Sequence, residues 1–354
     1  MIKSEYCVIG CMSGTSLDGL DLAYIRFIKG DVWTFEIIVA HTISYSKTWK
    51  QKLRDLVSYS KSDLESLDKE YTLLLANMIN VFIKRNNITT IDAICSHGHT
   101  ALHQPEKGIT YQIGNLKGLS IQTKNKIVCD FRKQDVEYGG QGAPLVPIGD
   151  ELLFSVYDYC LNLGGFANIS FKENYQRIAF DVCPANIVLN HYASKLGLEY
   201  DSNGLMASKG KINKKLLSDL DDLEFYKAKH PKSLGLEWVE SEIFPLINDY
   251  DLPVYSVLRT FIEHLVNQLA VVLNKNSKTT VLITGGGTFN TFLIETLKLK
   301  TSCRIIIPNN NIIEYKEALI FGLLGVLKLR NEVNCLASVT GAKKNHSSGK
   351  IYEP

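Results

Sequence analysis

Short apolar runs separated by small polar turns form the first recurring pattern of this chain. Residues 6–9 are continuously apolar, as in a buried strand, and residues 20–27 are again strand-like, with a polar turn at residues 13–19 before them. Residues 35–43 predict a third strand. We therefore expect an N-terminal meander whose first turn directs several backbone amides and hydroxyl groups to one point.

The second half of the chain repeats this opening theme. Residues 159–163 predict a strand, a Gly-Gly pair predicts a turn, and residues 168–171 predict a returning strand. A third strand, at residues 177–180, leads directly into Asp181. Two halves that each begin with a strand, a glycine turn and a strand predict a duplicated domain, with the two turns facing across a cleft.

Helical and strand-like patterns alternate along the rest of the chain. They predict helices over residues 46–85, 184–198, 256–273, 288–297 and 317–329, and short strands over residues 91–96, 127–131 and 281–284. From residue 340 onward the chain is polar and basic, which predicts partial disorder.

Length and composition predict a globular protein of two domains. The 354 residues are 45% hydrophobic and 21% charged, and the net charge of +2 argues against a nucleic acid or a membrane as the main partner. We expect domains at residues 1–150 and 151–340, with a tail at residues 341–354 that packs on the first. No long apolar run or signal-peptide pattern occurs, so we expect a cytoplasmic protein whose eight cysteines are reduced core residues.

The first turn carries groups that bind phosphate. Its glycines let backbone amides converge on an anion, Ser13, Thr15 and Ser16 add hydroxyl donors, and the Asp18 carboxylate can hold a hydrated Mg²⁺. A tight hairpin without a ligand accounts for the same stretch. Neither GxxxxGK[ST] nor a GxGxxG leading into a helix is present, which argues against a P-loop and a dinucleotide-binding fold.

Three histidines follow the predicted strand at residues 91–96. His97 and His99 are two positions apart and would point to the same side of an extended backbone, and His103 follows them. Such histidines can bind zinc in a metal-dependent hydrolase. A polar strand end that lines a substrate cleft is the alternative.

Two further segments combine glycine with polar or charged residues. Arg132 and Asp135 precede the glycine-rich residues 139–144, which form either a crossover that lines a cleft or an ordinary linker. Residues 285–287 are three successive glycines between a strand and a helix. They admit a flat group such as adenosine against the backbone, or they form only a close strand–helix turn.

Two carboxylates lie beside predicted helix starts. Asp181 follows a strand and precedes the helix predicted at residues 184–198, where the helix dipole keeps a carboxylate ionised, as a general base requires. Glu317 opens the helix predicted at residues 317–329. A capping role accounts for either residue as well.

Taken together, these motifs resemble those of the anhydro-N-acetylmuramic acid kinase family, within the actin-like and hexokinase-like ATPase superfamily. The resemblance covers nearly the whole chain. It is carried by MSGTSLDGLD at residues 12–21, HGHTALHQP at 97–105, DFRKQDVEYGGQGAPLVP at 130–147, LNLGGFANIS at 161–170, FDVCPAN at 180–186, YDSNGLMASKG at 200–210, HPKSLG at 230–235, TGGGTFN at 284–290 and EALIFGLL at 317–324.

The resemblance implies an α/β fold of two actin-like ATPase (ribonuclease H-like) domains, with ATP in an interdomain cleft. It implies a kinase that opens the 1,6-anhydro ring of anhydro-N-acetylmuramic acid with water and phosphorylates O6. The product is then N-acetylmuramic acid 6-phosphate, an intermediate of peptidoglycan recycling. The implied partner is a small anhydro-amino sugar, the implied cofactors are ATP and Mg²⁺, and a homodimer is expected.

The resemblance also implies roles for individual residues. ATP would be bound by Gly14, Thr15, Ser16, Leu17, Asp18, Gly19, Leu20, Asp21, Gly164, Gly165, Asn168, Gly285, Gly286 and Gly287, with Asp18 also holding Mg²⁺. The sugar would be bound by His97, Arg132, Asp135 and Gln141. Catalysis would fall to Asp181 and Glu317.

One motif departs from the family pattern. Members usually read Asp-Thr-Gly-Pro-Gly-Asn, whereas Asp181 here begins the sequence Asp-Val-Cys-Pro-Ala-Asn. The carboxylate is kept and its small polar neighbours are changed, which bears on the identity of the sugar more than on the type of reaction. Two alternatives stay open: a kinase of the same fold acting on a related anhydro- or amino sugar, and a non-catalytic actin-like nucleotide-binding protein.

Overall fold

The structure is a computed structural model that describes residues 3–14, 16–276 and 279–354. Its contacts divide the chain into two compact units, the first formed by Met1–Phe154 with Tyr315–Pro354 and the second by Ser155–Glu314. The strands are β1 (Glu5–Met12), β2 (Gly19–Lys29), β3 (Trp33–Ser44), β4 (Ala93–Ser96), β5 (His99–Gln104), β6 (Ile109–Ile113), β7 (Ile127–Cys129), β8 (Tyr159–Leu163), β9 (Phe166–Glu173), β10 (Gln176–Pro184), β11 (Thr280–Thr284), β12 (Arg304–Ile306) and β13 (Lys350–Tyr352).

Helices connect these strands. They are α1 (Lys47–Arg54), α2 (Lys61–Arg85), α3 (Gly118–Thr123), α4 (Lys133–Glu137), α5 (Pro147–Leu153), α6 (Asn186–Ser194), α7 (Leu205–Lys209), α8 (Lys214–Asp221), α9 (Glu224–Lys227), α10 (Leu236–Trp238), α11 (Phe244–Asn248), α12 (Val254–Leu273), α13 (Thr291–Lys300), α14 (Asn310–Leu329) and α15 (Ala337–Thr340). Short 3-10 turns cover Leu56–Ser58, Pro105–Lys107, Ser202–Gly204 and Gly286–Phe289, and a π turn covers Val239–Ile243.

A six-stranded sheet forms the centre of the first unit. Its strand order is β13-β7-β4-β1-β2-β3, in which β1, β2 and β3 are antiparallel neighbours while β4 and β7 run parallel to β1. Alternate residues of the sheet, such as Ile9 and Leu22, pack against the buried face of α2, including Tyr71 and Leu75. The polar turns at the carboxyl ends of β1, β4 and β7 therefore lie at one edge of a rigid sheet.

The second unit repeats this arrangement. Its five-stranded sheet has the order β10-β9-β8-β11-β12, with β8, β9 and β10 antiparallel and β11 and β12 parallel to β8. If the edge strand β13 is set aside, each sheet has five strands, which we number by their order along the chain. Both sheets then show the same spatial order: third, second, first, fourth, fifth. The duplication predicted from the sequence is confirmed at the level of topology.

Helix α14 approaches the first sheet closely because the facing residues are small. A β-carbon added to Gly10 of β1 would lie 1.9 Å from the carbonyl oxygen of Ala318, and one added to Gly325 would lie 2.1 Å from Sγ of Cys95. These contacts explain why the first unit includes the chain from Tyr315 onward. The sequence-based boundary had instead carried the second domain to residue 340.

The C-terminal tail supplies an edge strand. Strand β13 pairs antiparallel with β7, and Ser348 Oγ donates to the carbonyl oxygen of Phe131 at 2.6 Å. The predicted partial disorder of this segment is therefore wrong, because its backbone completes the hydrogen bonding of the first sheet.

Two composition-based expectations can be compared with the structure. All eight cysteines are free, seven of them are buried and Cys7 is half-buried, which confirms unpaired residues packed mostly in the core. Within the described part of the chain, no helix is both long enough and apolar enough to cross a membrane.

Candidate active site

The first glycine turn connects β1 to β2 at the carboxyl end of β1. Ser16 and Asp18 are exposed there, whereas Thr15, an ATP ligand by resemblance, lies outside the described residues. The Leu17 amide donates to the Gly14 carbonyl at 3.3 Å. A β-carbon added to Gly14 would meet only Ser16 Oγ, at 4.0 Å. Packing therefore does not require a glycine at position 14, which leaves room there for a ligand to approach the backbone.

The last three residues of this motif belong to β2 itself. A β-carbon on Gly19 would lie 2.4 Å from the carbonyl oxygen of Ile43, so the close approach of β3 requires glycine here. Leu20 is buried in the core, and Thr42 Oγ1 donates to Asp21 Oδ1 at 2.6 Å. These residues have roles within the sheet, and their contact with ATP stays a prediction.

A buried hydrogen-bond chain fixes the start of the turn. Tyr45 donates its only proton to Ser13 Oγ at 2.7 Å, so Tyr71 donates to Tyr45 at 2.7 Å, and Ser13 Oγ is hydrogen-bonded to Nδ1 of His99 at 2.8 Å. Burial lowers the pKa of His99 to about 4, which keeps the ring neutral and able to accept. The orientation of Ser13 is thus set by the core beneath it.

Arg132 is held in place by His97 and by the glycine-rich loop. Its Nε donates to Nε2 of His97 at 2.8 Å, and its Nη1 donates to the Gly142 carbonyl at 2.7 Å. Burial and the Arg132 charge lower the pKa of His97 well below its usual value. Because neutral His97 donates from Nδ1 to the Gly98 carbonyl at 3.0 Å, Nε2 carries the lone pair that Arg132 needs.

Within the described part of the chain, the histidine motif lacks the geometry of a metal site. Gly98 has a φ of +73°, so the extended backbone expected between His97 and His99 is wrong. Nδ1 of His103 lies 3.1 Å from Thr110 Oγ1. Among the described residues, no group of three possible metal ligands includes a histidine of this segment.

Asp135 and Gln141, the other predicted sugar ligands, occupy different environments. Asp135 is fully buried in α4, where Oδ2 accepts from the Gly142 amide at 2.7 Å and Oδ1 accepts from Thr340 Oγ1 at 2.8 Å. Gln141 is exposed, and its amide donates to the Thr340 carbonyl at 2.8 Å. Asp135 thus shapes the loop from beneath, and direct sugar binding by either residue stays a prediction.

Glu317 lies in the first turn after a break in α14. Tyr315 has non-helical geometry (φ −113°, ψ 16°), so a second helical segment begins directly after it, close to the predicted start at Glu317. Glu317 is exposed at the surface, but desolvation by the surrounding protein raises the pKa of its carboxyl group. The positive charges of Arg132 and Lys316 oppose that rise. A role at the start of this helical segment therefore stays open for Glu317, and Arg132 and Glu317 influence each other electrostatically within the first unit.

The second glycine turn joins β8 to β9 and is docked on a helix. The carbonyl of Gly164 accepts from the Asn186 amide at 3.2 Å, and that of Gly165 accepts from the Ala185 amide at 2.8 Å and the Ile187 amide at 3.1 Å. These bonds satisfy amides at the start of α6 that no helical carbonyl can reach. The conformation of this turn is therefore set by α6.

Four polar residues form a row across the second sheet. Asp181 of β10 pairs with Asn168 of β9, Asn168 pairs with Asn162 of β8, and Asn162 pairs with Thr284 of β11. Residues paired on neighbouring strands point to the same face of a sheet. We call Asp181, Asn168, Asn162 and Thr284 the polar row. It lies next to the second glycine turn and to the glycines that follow β11.

Asp181 has an environment suited to a base. It lies inside β10, which continues to Pro184, so the predicted strand end at Phe180 and the placement of Asp181 at a helix start are wrong. The Leu234 amide donates to Oδ2 at 2.8 Å and orients the carboxylate. Burial raises the pKa of Asp181 above its usual value, and the Leu234 bond opposes that rise. A register shift directly after Asp181 bends the strand at this point.

The third glycine cluster combines two packing glycines with an open one. A β-carbon on Gly285 would lie 2.4 Å from Asn162 Oδ1, and one on Gly287 would lie 2.7 Å from Leu163 Cβ. Gly286 is exposed, and a β-carbon there would meet nothing within 4 Å. The close-turn interpretation therefore explains Gly285 and Gly287 but leaves Gly286 unexplained by packing.

Sequence reasoning missed several residues of these two sites. Asn162, Thr284 and Tyr45 were not assigned roles, although Thr284 directly precedes a glycine turn and Asn162 is one residue further from one. Thr284 is buried, and among the described residues its Oγ1 has no hydrogen-bond partner. The shared signal, a polar residue at or next to the end of a strand ahead of glycines, could have identified Asn162 and Thr284.

Comparison with known proteins gives one consistent result. The chain is 33% identical to the anhydro-N-acetylmuramic acid kinase of Pasteurella multocida (strain Pm70), over 99% of this chain and 98% of that protein. It is 32% identical to that of Haemophilus influenzae, with the same coverage, and 32% identical to that of Clostridioides difficile (strain 630), over 97% of each.

Similarity among solved structures is more distant. The activator of the 2-hydroxyisocaproyl-CoA dehydratase from Clostridium difficile with bound ADPNP matches at a TM-score of 0.46 and 12% identity, over 92% of this chain and 96% of that one. This match adds nothing to the assignment. The sequence model of the anhydro-N-acetylmuramic acid kinase family matches residues 6–354 of this chain. The chain therefore belongs to the anhydro-N-acetylmuramic acid kinase family.

Proposed function

We propose that this chain uses ATP to convert 1,6-anhydro-N-acetylmuramic acid and water into N-acetylmuramic acid 6-phosphate, for peptidoglycan recycling. Family membership supplies the substrate class. The observation that carries the chemistry is the placement of Asp181, an oriented carboxylate of raised pKa in a row of polar side chains beside two glycine turns.

Asp181 acts in this proposal as the base that activates water. Its Oδ1 takes a proton from the water as the water oxygen bonds to C1 of the sugar and the C1–O6 bond breaks. O6 then bonds to the γ-phosphorus of ATP, and ADP leaves. The raised pKa of the carboxylate lies closer to the working pH, which makes the ionised form a stronger proton acceptor.

The glycine turns supply the phosphate-binding groups of the proposal. In the first unit the open position at Gly14 would admit a phosphate group. In the second unit the exposed Gly286 would do so too, beside the Thr284 hydroxyl, which has no hydrogen-bond partner among the described residues. The exposed Asp18 carboxylate beside the first turn suits a Mg²⁺ ion that neutralises phosphate charge. We further propose a homodimer in the cytoplasm, as expected from the family resemblance.

A product analysis tests the function. The chain is incubated with ATP, Mg²⁺ and each member of a panel of anhydro- and amino sugars, and products are identified by mass spectrometry. We expect phosphorylation of 1,6-anhydro-N-acetylmuramic acid with incorporation of one oxygen from ¹⁸O-labelled water into the sugar. Efficient turnover of a different sugar would favour the related-sugar alternative, and ATP turnover independent of any sugar would favour the nucleotide-binding alternative.

Arg132→Lys should weaken sugar binding. Lysine keeps the charge but cannot bond His97 and the Gly142 carbonyl through a planar fork, so the cation loses its fixed position. We expect KM for the sugar to rise about 10-fold, the effect of losing one charge-assisted hydrogen bond, with KM for ATP unchanged. Equal changes in both KM values would contradict a role in sugar binding.

Glu317→Gln should lower kcat while the protein stays folded. The variant removes the charge that interacts with Arg132 but keeps the size of a solvent-accessible side chain. We expect kcat to fall about 10²-fold, the lower end for loss of an acid–base group. Glu314→Gln, an exposed change on the same helix, is the matched control and should be neutral. A kcat near that of the wild type would remove Glu317 from the catalytic groups.

A further inference from the structure

A buried Asp–Cys–His cluster lies in the first unit beneath the glycine-rich loop. Asp135, Cys335 and His346 each direct one ligand atom into a space where these atoms all lie within 4.8 Å of one another. Sγ of Cys335 is 3.0 Å and Nε2 of His346 is 3.6 Å from Oδ1 of Asp135. All three residues are buried, so the cluster is not an incidental feature of a solvated surface.

The backbone presents Cys335 and His346 together. The two residues form an antiparallel bridge in which the Cys335 amide donates to the His346 carbonyl at 3.1 Å and the reverse bond is 3.2 Å. Asp135 lies in α4, 200 residues before Cys335 in the sequence, and its side chain contacts Cys335. The position of all three side chains is thus set by main-chain structure, as a preorganised ligand set requires.

The His346 ring points an unsatisfied lone pair into the cluster. Its Nδ1 lies 3.0 Å from the Lys344 carbonyl, which can only accept, so Nδ1 carries a proton. Among the described residues, the buried Nε2 has no hydrogen-bond partner. In the neutral ring Nε2 is then a lone pair facing a carboxylate oxygen, an unfavourable pairing that either a proton or a metal ion on Nε2 removes.

A zinc ion bound to these three side chains would remove the unfavourable pairing of the His346 lone pair with the Asp135 carboxylate. A histidine that donates its other ring nitrogen to a backbone carbonyl is the usual form of a zinc ligand. Ligand atoms at about 2.0–2.3 Å from a tetrahedral ion lie about 3.3–3.6 Å apart. The Cys335–Asp135 distance of 3.0 Å and the His346–Asp135 distance of 3.6 Å are close to this spacing, and the remaining pair of ligand atoms lies within 4.8 Å. The mixed sulfur, nitrogen and oxygen set suits zinc better than magnesium or calcium.

We propose that Asp135, Cys335 and His346 form a zinc site that is separate from the proposed reaction. Binding releases the Cys335 thiol proton to solvent, and the thiolate and the Asp135 carboxylate together balance the charge of the ion. Three ligands from the chain leave the fourth position to water. Because Asp135 Oδ2 still accepts from the Gly142 amide, the ion ties the C-terminal segment to the loop that holds Arg132.

Metal titration of the tag-free full chain, without ATP, tests the site. Zinc content is measured after gel filtration, and Co²⁺ is used as the spectroscopic probe because a thiolate ligand gives a charge-transfer band in the near ultraviolet. Cys335→Ser keeps a hydrogen-bond donor for Asp135, and His346→Gln removes the imidazole. Cys303→Ser is the matched control, since its buried sulfur already bonds Thr279 and the Leu273 carbonyl outside the cluster.

We expect one zinc per chain, a thiolate band with Co²⁺, and a melting temperature that falls when a chelator removes the metal. Cys335→Ser should lose the band, His346→Gln should bind zinc at least 10-fold more weakly, and Cys303→Ser should behave as the wild type. No saturable binding by the wild type would overturn the proposal and leave a His346–Asp135 ion pair as the explanation. A band that Cys335→Ser leaves unchanged would overturn it as well.

Discussion

Asp181→Asn should abolish most of the turnover of this protein while leaving it folded and able to bind ATP. Asparagine retains an oxygen that can accept from the Leu234 amide, so the local structure is kept. It cannot take a proton from water, and loss of a general base lowers kcat by roughly 10²–10⁴-fold. Steady-state kinetics with the anhydro sugar, together with calorimetry of ATP binding, measure both parts of the prediction.

Asp158→Asn is the matched control for this experiment. Asp158 is an exposed carboxylate that accepts from the Thr280 amide at 2.7 Å, directly before β8 of the same sheet. The same chemical change is thus made at another backbone-bonded aspartate, away from the polar row. We expect near-normal kcat there. Turnover of Asp181→Asn within about threefold of the wild type would remove Asp181 from the mechanism and leave Glu317 as the next candidate.

The pH dependence gives a second measure of the same group. A base acts only when ionised, and burial raises the pKa of Asp181 above its usual range. The value of kcat/KM should therefore fall as the pH decreases through this raised pKa, at a higher pH than an exposed aspartate would show. In Asp181→Asn the residual activity should lose this acidic limb. An unchanged limb in the variant would assign it to another group, such as Glu317.

The repeated topology was predictable because it depends on local patterns. A strand, a glycine turn and a returning strand are encoded within about twenty residues, and both copies could be recognised from apolar runs and turn residues. The catalytic role of Asp181 stays a prediction, and its structural premise, a strand end directly before a helix start, is wrong. Its strand continues to Pro184 because the pairing with β9 extends to that residue. The Asp181 amide also donates to the Lys232 carbonyl, a contact that no local pattern indicates.

The first unit shows why side-chain roles were harder to predict than strands. The family resemblance implied that Asp135 faces the sugar, yet its oxygens accept hydrogen bonds from Gly142 and Thr340. The partner Thr340 lies in a segment predicted to end the second domain, and it returns to the first sheet because α14 packs there. Long-range contacts of this kind decide whether a buried carboxylate binds a ligand or the protein itself.

Gly14→Val should weaken ATP binding without destabilising the fold. Gly14 and Gly286 lie in open positions, whereas Gly19 and Gly287 are closely packed, so substitutions in the two pairs distinguish a role in ligand binding from a role in packing. The added side chain enters open space, so the fold should be unaffected, but it occupies the position from which phosphate oxygens would reach the turn amides. We expect ATP affinity to fall about 10–100-fold, the effect of losing one or two charge-assisted hydrogen bonds. Gly286→Val, the open position after β11, should act in the same way.

Gly19→Ala and Gly287→Ala are the packing controls. Their β-carbons would lie 2.4 Å from the Ile43 carbonyl oxygen and 2.7 Å from Leu163 Cβ, so each should lower the free energy of unfolding by about 1–3 kcal/mol. Thermal denaturation should thus distinguish the pairs, with the valine variants near the wild type and the alanine variants less stable. Unchanged ATP affinity in a folded Gly14→Val would show that the first turn does not hold the phosphates. The same result for Gly286→Val would leave the third glycine cluster as a packing feature only.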